Sequence, residues 1–414
     1  MTDIIRDPLW DNIELDPAAM AVLDTEAMQR LRYVRQLGHA FLVYPGATHS
    51  RFEHALGAFH LATRALTILG QRGDLAGVAE SHQRAVRLAA LVHDVGHYPF
   101  SHGLEEAGFP HHESLGVAKL ARGQLGLTLT SIGGSGLIEE ISALVRGRSD
   151  GPLQGLVSGT LDLDKIDYLS RDARACGVPY GTLDVDRLLS ALTVIPGPSG
   201  RLEVGIQEKG VSALETLLFA KYQMYRNVYW HHAVRSATCM FKRAVRAAVA
   251  SGGLAAAELA EETDGALMER LFATDPSGLA RAVHERRLYK RALDLPASEI
   301  PTEAGNWVAD DPDLLHQVED AMAAELGLEP AGLLLDYPAR ANMLAVDLPL
   351  KTREGRAGHL GLPRIAEELY RSARRLRVFS ALPIPNLTER LVTIVAKSPA
   401  ELRGRLERGE AILG

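Results

Sequence analysis

Residues 86–102 read VRLAALVHDVGHYPFSH. The run RAVRLAALVHDVG, residues 84–96, predicts a nearly all-apolar helix stopped at Gly96, a residue suited to the position just past a helix end. The pair His93-Asp94 then falls in its last turn. An imidazole and a carboxylate at an apolar helix end are costly to bury unless paired or metallated. One histidine on an apolar face more often packs as a core residue with a satisfied hydrogen bond, and a His-Asp dipeptide is common by chance. Two further stretches change that reading: HSRFEHALG at residues 49–57 and LDLDKIDYLSRD at residues 161–172.

Around the first stretch, Ser50 suits a helix cap and Glu53 completes a capping box. Phe52, Leu56, Phe59, Ala62 and Leu66 recur at helical spacing, so His54 lies in the first turn near the buried face. The second stretch predicts a helix from about Leu161 to Cys176, closed by Gly177 and Pro179. On it Asp164, Tyr168 and Asp172 step by four residues and share one face. His54, His93, Asp94 and Asp164 are thus two imidazoles and two carboxylates on separate helices. That set suits a borderline or hard divalent cation: Mn, Fe, Co, Zn or Mg. His97, His102, His111 and His112 crowd the same text, a density that packing does not explain.

The chain of 414 residues carries 45 basic against 52 acidic residues, a net charge of −7. This balance disfavours a general nucleic-acid or anionic-membrane binder. Only Cys176 and Cys239 are present, which argues against a disulfide framework or a thiolate zinc site. MTDIIRDPLWDNIEL lacks the basic and apolar regions of a signal peptide, and no apolar run approaches the ~20 residues that span a bilayer. The expectation is a soluble, cytoplasmic protein.

Residues 16–177 read mainly as helix, except RGQLGLTLTSIGGSG at 122–136, which reads as a mobile loop or short strand pair. Helix returns over 211–250. Beyond residue 300, Pro and Gly are frequent, and ANMLAVDLPL (341–350), LRVFSAL (376–382) and LVTIVAKS (391–398) have strand composition. The expected architecture is mainly α: a helical catalytic domain over 1–300 and a smaller C-terminal α+β region over 301–414.

The H…HD…D order, with DPLWDNIEL (7–15), DTEAMQRLRYVRQLG (24–38), YPGATHSRFEHALG (44–57), HHESLG (111–116) and YQMYRNVYWHH (222–232), resembles the HD-domain deoxynucleoside triphosphate triphosphohydrolases. The match is to the branch of bacterial relatives of the SAM-and-HD-domain enzyme. It covers most of residues 7–240, and no SAM domain precedes it. The resemblance implies a dNTPase that yields deoxynucleoside and inorganic triphosphate. It makes His54, His93, Asp94 and Asp164 the ligands of a metal that polarises a water for attack on the α-phosphorus. It also implies that His97 touches the α-phosphate, while His102 or His112 protonates the leaving 5′-oxygen. Arg51, Lys165 and Lys221 meet phosphate oxygens, Lys221 standing where arginine is usual. Gln36, Leu37, Tyr168, Asp172 and Tyr229 grip or wall the sugar. Relatives are dimers or tetramers, some switched on by a guanine nucleotide, and Asp24, Gln29 and Arg32 match polar positions of that regulatory pocket. A lysine expected before Asp7-Pro8 is absent. The ligand set alone leaves open another nucleotide substrate, a monophosphate or an alarmone, or a nucleotide sensor with residual catalysis. The HHE at 111–113 is shared with cyclic-dinucleotide phosphodiesterases of the HD type, but their GYP-containing extension does not follow.

Overall fold

The computed structural model describes residues 2–197, 200–301, 304–339, 348–354, 357–360, 365–384 and 388–413. It opens with a hairpin of β1 (Asp3–Asp7) and β2 (Asp11–Leu15). A bundle of helices follows. Helix α1 (Arg51–Gln71) starts on the predicted capping box: Ser50 accepts from Glu53 N, and the Glu53 carboxylate takes Ser50 N. Helix α2 (Glu80–Val92) packs on it through Ala85, Val86 and Leu88 to Val92, all buried.

Regular helix ends at Val92, short of the Gly96 stop that the sequence suggested, so His93 is the cap and Asp94 lies just past it rather than inside the last turn. Gly96 does not adopt the left-handed conformation expected past a helix end. Its role is close approach. A Cβ there would lie 2.2 Å from His112 O and 2.3 Å from Gly116 N, both at α3 (His112–Leu120).

The Gly-rich stretch expected as loop or strands is helical instead. It forms the first half of α4 (Gly123–Val145), broken only at Gly133 and Gly134. Leu125, Leu129, Leu137, Ile141 and Leu144 are buried at helical spacing against the α1–α2 core. That burial outweighs the glycine penalty of about 1 kcal/mol per residue.

Helix α5 (Leu163–Cys176) starts at Asp162, which accepts from Lys165 N, and ends at left-handed Gly177. Strands β3 (Leu192–Pro196) and β4 (Leu202–Gln207) pair antiparallel. Next comes α6 (Val211–Met224), which runs into one π turn, Tyr225–Tyr229, before α7 (His232–Ala250). Helix α8 spans Asp264–Thr274.

Strand β5 (Lys290–Pro296) and α9 (Pro312–Glu325) lead into β6 (Leu333–Asp336), β7 (Leu348–Lys351), β8 (Ala357–Leu360) and β9 (Arg375–Ser380). One sheet has the order β3-β4-β7-β8, the other β5-β9-β6. The expected strand in LRVFSAL is β9, central in its sheet and buried from Leu376 to Ser380. Of ANMLAVDLPL, residues 341–347 lie outside the described residues and Leu348–Leu350 fall in β7. LVTIVAKS is not a strand: it lies largely in α10 (Thr388–Val395). Leu391, Ile394 and Val395 share one buried helical face, and packing overrides their β-branched composition. Among the described residues, no helix is long and apolar enough to cross a membrane.

Candidate active site

The start of α1, the end of α2 and the first turn of α5 meet at one point. His54 Nε2 lies 2.8 Å from Asp164 Oδ1, 3.2 Å from His93 Nε2 and 3.6 Å from Asp94 Oδ2. His93 Nε2 is 3.4 Å from Asp94 Oδ1 and 3.6 Å from Asp164 Oδ1. The far nitrogens of both rings are engaged: His54 Nδ1 with Asp167 Oδ2 at 2.8 Å, His93 Nδ1 with Ala90 O at 2.9 Å. Outer partners of this kind fix the tautomer, so the two Nε2 lone pairs face each other across a short gap. Facing acceptors beside carboxylates call for a cation between them, and the donor set fits a divalent metal. A proton on Nε2 is the alternative to such a cation: burial opposes charging His54, but the Asp164 and Asp167 carboxylates outweigh it and push its pKa up to about 10. His93 is likewise raised, burial being outweighed by Asp94 and Asp164.

Behind His54 stands a buried network that the sequence reading missed. Asp167 takes Arg171 Nε and Nη2, each at 2.9 Å, and Trp10 Nε1. Arg171 Nη1 reaches Asp7 Oδ2 at 2.8 Å, and Asp7 in turn accepts from the backbone of Leu9 and Trp10. The β1–β2 turn thus braces the imidazole of His54. The signal lay in the words DPLWDNIEL and DKIDYLSRD, each of which carries more acid than the candidate ligands use. Asp167→Asn is expected to weaken metal affinity on the order of 10- to 100-fold, as outer-partner changes do. Titrating metal against a chelating dye checks this, and unchanged affinity would remove the bracing role.

Arg51 is almost fully buried, with Nη1 on Asp94 Oδ2 at 2.5 Å and Nε on Ser101 Oγ at 3.1 Å. Its fork is engaged by Asp94 rather than standing free, because a buried guanidinium needs a partner. Burial would raise the Asp94 carboxyl, yet Arg51 holds it well below the usual carboxylate range.

A cavity of about 610 Å³ opens beside the cluster. Gln36, Leu37, Arg51, Lys165, Tyr168, Asp172, Lys221 and Tyr229 all line it, together with Asp164 and His102. Asp172 accepts from Tyr229 OH at 2.7 Å and meets His49 Nε2 at 2.8 Å, a partner the sequence reading passed over. Tyr225 and Tyr229, at the two ends of the π turn, both reach this wall. Such turns recur at functional sites. Lys165 pairs with Asp162 and donates to Gly159 O. Burial and the neighbouring Lys165 push Lys221 down to about 8.

The His97 and His112 rings lie tilted with centroids 3.7 Å apart and do not line the cavity, while exposed His102, 4.9 Å from His97, does. Glu105 gathers them: its carboxylate meets His112 Nδ1 at 2.5 Å and His102 Nδ1 at 3.4 Å. Against its burial, those histidines hold Glu105 far below the usual range. His97 is held well below its ordinary value by burial and by Arg51. Phe100 and Ser101, just before His102, both adopt left-handed backbone, with φ 57° and 63°. That costs roughly 1–2 kcal/mol per residue.

Asp24, Gln29 and Arg32 do not line this cavity. Arg32 lies over the Phe52 ring at 3.6 Å and donates to Gln29 Oε1 at 2.7 Å. Asp24 is exposed at the end of a short helix.

A helical domain that sets two imidazoles and two carboxylates beside a basic, aromatic cavity, with Asp164 on its wall, defines a metal-dependent phosphohydrolase. The comparisons agree: an HD domain matches residues 51–172 and an HD associated region matches 183–359. The chain belongs to the HD-domain phosphohydrolase family. An uncharacterized protein of Methanocaldococcus jannaschii is 34% identical over 325 residues, 78% of this chain and 67% of that protein. Deoxynucleoside triphosphate triphosphohydrolase SAMHD1 of Homo sapiens is 29% identical over 271 residues, 55% of this chain. The match spans 42% of that relative, less than half its length. A phosphohydrolase from Bacteroides thetaiotaomicron shares the fold at TM-score 0.72 and 23% identity, over 92% of this chain and 100% of that one. A hypothetical protein from Aquifex aeolicus does so at 0.70 and 24%, over 100% of both chains.

Proposed function

We propose that the protein hydrolyses deoxynucleoside triphosphates to deoxynucleoside and inorganic triphosphate. The observation that carries this reading is that eight candidate substrate residues, drawn from four separate stretches of chain, line one cavity against the His-Asp cluster. His54, His93, Asp94 and Asp164 would hold a divalent metal such as manganese. When bound, that metal supplies Lewis acidity toward a phosphate oxygen and lowers the pKa of a water.

The chain's own groups do the rest. Lys165 and Lys221 neutralise the triphosphate, Lys165 exchanging Asp162 for a phosphate oxygen, and Arg51 holds Asp94 in place. His102, exposed and tethered by Glu105, protonates the leaving 5′-oxygen. Gln36 and Asp172 hold the 3′-hydroxyl, and Asp172 is held in turn by His49. The same reading expects a homo-oligomer, dimer or tetramer, which solution scattering reads directly. Regulation by a nucleotide near Asp24, Gln29 and Arg32 is part of that expectation.

Tyr229 walls the sugar, so the wild type is expected to prefer dGTP over GTP by roughly a hundredfold, the scale at which an apolar wall rejects one added hydroxyl. Tyr229→Ala should lose most of that preference. Product analysis on both nucleotides is the test. Equal wild-type rates would remove the deoxy-specific assignment and leave a phosphohydrolase of another nucleotide.

A further inference from the structure

We infer that Asp264, the first residue of α8, is a positioning residue that clamps two cavity-lining segments, Arg35–Leu37 and Tyr98–His102, against each other. Asp264 Oδ1 accepts from Phe100 N at 2.8 Å and Oδ2 from Arg35 N at 3.1 Å. The Arg35 guanidinium lies 3.6 Å from the same carboxylate. Each oxygen therefore holds one segment by its backbone.

The Phe100–Ser101 turn needs such a hold. Two successive non-glycine residues in left-handed backbone persist only where their surroundings over-determine them. Ser101 Oγ is 2.7 Å from Arg35 O and 2.9 Å from Gln36 O, so the turn and the Gln36 segment are tied directly as well. They meet backbone to backbone at Gly38, where a Cβ would lie 2.7 Å from Phe100 O. Arg30 forms a second strut: its guanidinium donates to His97 O at 2.6 Å and to Glu262 O at 2.7 Å. His97 O, three residues before the strained pair, and Phe100 N, its first amide, are thus both fastened to residues 262–264. These lie in the HD associated region, outside the matched HD domain. Asp264 is 5% exposed, and its burial pushes the carboxyl up to about 6 despite the bonds from Phe100 and Arg35.

Neither Asp264 nor Arg30 lines this cavity. They act through the backbone of residues that do: Gln36 and Leu37 on one segment, His102 on the other. A carboxylate serving only as a core ion pair would support overall stability and leave turnover per folded chain alone. A clamp sets where His102 stands relative to Gln36, and so sets the rate.

The test uses the full metal-loaded chain carrying Asp264→Asn, which keeps the shape but turns an amide donor toward one of the two backbone donors. Amide exchange is expected to quicken on the order of tenfold within Arg35–Leu37 and Phe100–His102, with α1 and α5 unchanged. Turnover of dGTP per metal-loaded chain should fall on the order of ten- to a hundredfold, with KM little changed, as for an ångström-scale misplacement. Asp264→Glu is the second variant. It keeps the charge but not the reach to both amides, and the same local pattern is expected. Unchanged exchange and turnover in either folded variant overturns the clamp. So does exchange that quickens equally across α1 and α5, which marks a general loss of stability. The choice of dGTP rests on the proposed function. A wild type that hydrolyses no nucleotide would sink that function, while the exchange pattern would still decide the clamp.

Discussion

Replacing His93 and Asp94 together by alanine is expected to abolish metal retention and to lower phosphate-ester hydrolysis on the order of a thousandfold or more. Lewis-acid assistance contributes several kcal/mol to such transition states, and each ~1.4 kcal/mol is a factor of ten. The double variant leaves His54 and Asp164 as the remaining pair, 2.8 Å apart, too few ligands to keep a divalent ion through dialysis. It also strands Arg51, whose Nη1 partner is Asp94. An uncompensated buried charge costs about 3–5 kcal/mol, so the fold must be checked by circular dichroism. The single variant His93→Ala keeps the Arg51–Asp94 pair and isolates the metal effect. Metal analysis and product release on the folded proteins decide the matter. Full activity without bound metal would sink the site assignment.

The second large effect comes from a residue with no side chain. Gly57 sits on the face of α1 that meets α5, where an added Cβ would lie 1.8 Å from Asp167 Oδ1 and 2.6 Å from Arg171 Nη2. Neither group can yield easily: Asp167 is tied to His54, Arg171 and Trp10, and Arg171 to Asp7. Gly57→Ala must push the helices apart or break the Asp167–Arg171 pair. Breaking a buried pair costs about 3–5 kcal/mol. The expected outcome is a thermal midpoint lower by several degrees or more, with weakened metal binding, because His54 loses its brace. Gly265→Ala is the control. It lies in α8 with nothing within 4 Å of its Cβ, and should be neutral or stabilising by up to about 1 kcal/mol. Equal melting of the Gly57 variant and wild type would show that the α1–α5 contact is looser than drawn.

The parts of this site that were legible in the sequence are those set by short-range rules. The Ser50–Glu53 box and the Gly177 stop place His54 and Asp164 on helices whose ends are local chemistry, while the Asp162 cap emerged only with the structure. The steps from Asp164 to Tyr168 to Asp172 follow from helical pitch alone. Arg51 was legible as a residue but not as a partner. Sequence places it beside His54, and only the fold shows its fork taken by Asp94. Glycine content misled the reading of residues 122–136, because the buried leucines at helical spacing carry more free energy than the glycines forfeit. Residues 391–398 misled it in the opposite direction. Their β-branched composition is a weak preference that a packed helical face overrides.

By itself, then, the sequence determined where α1 begins and where α5 ends, and which residues share a face along them, since caps and periodicity act within a few residues. The tertiary structure alone decided what braces those residues. Trp10 reaches Asp167 across 157 positions of chain, and Asp264 reaches Phe100 across 164. The π turn that ends in Tyr229, whose hydroxyl meets Asp172, contains neither proline nor glycine to announce it. Such contacts arise because buried charges and strained backbone must find partners wherever packing brings them. No local pattern encodes which distant residue that will be.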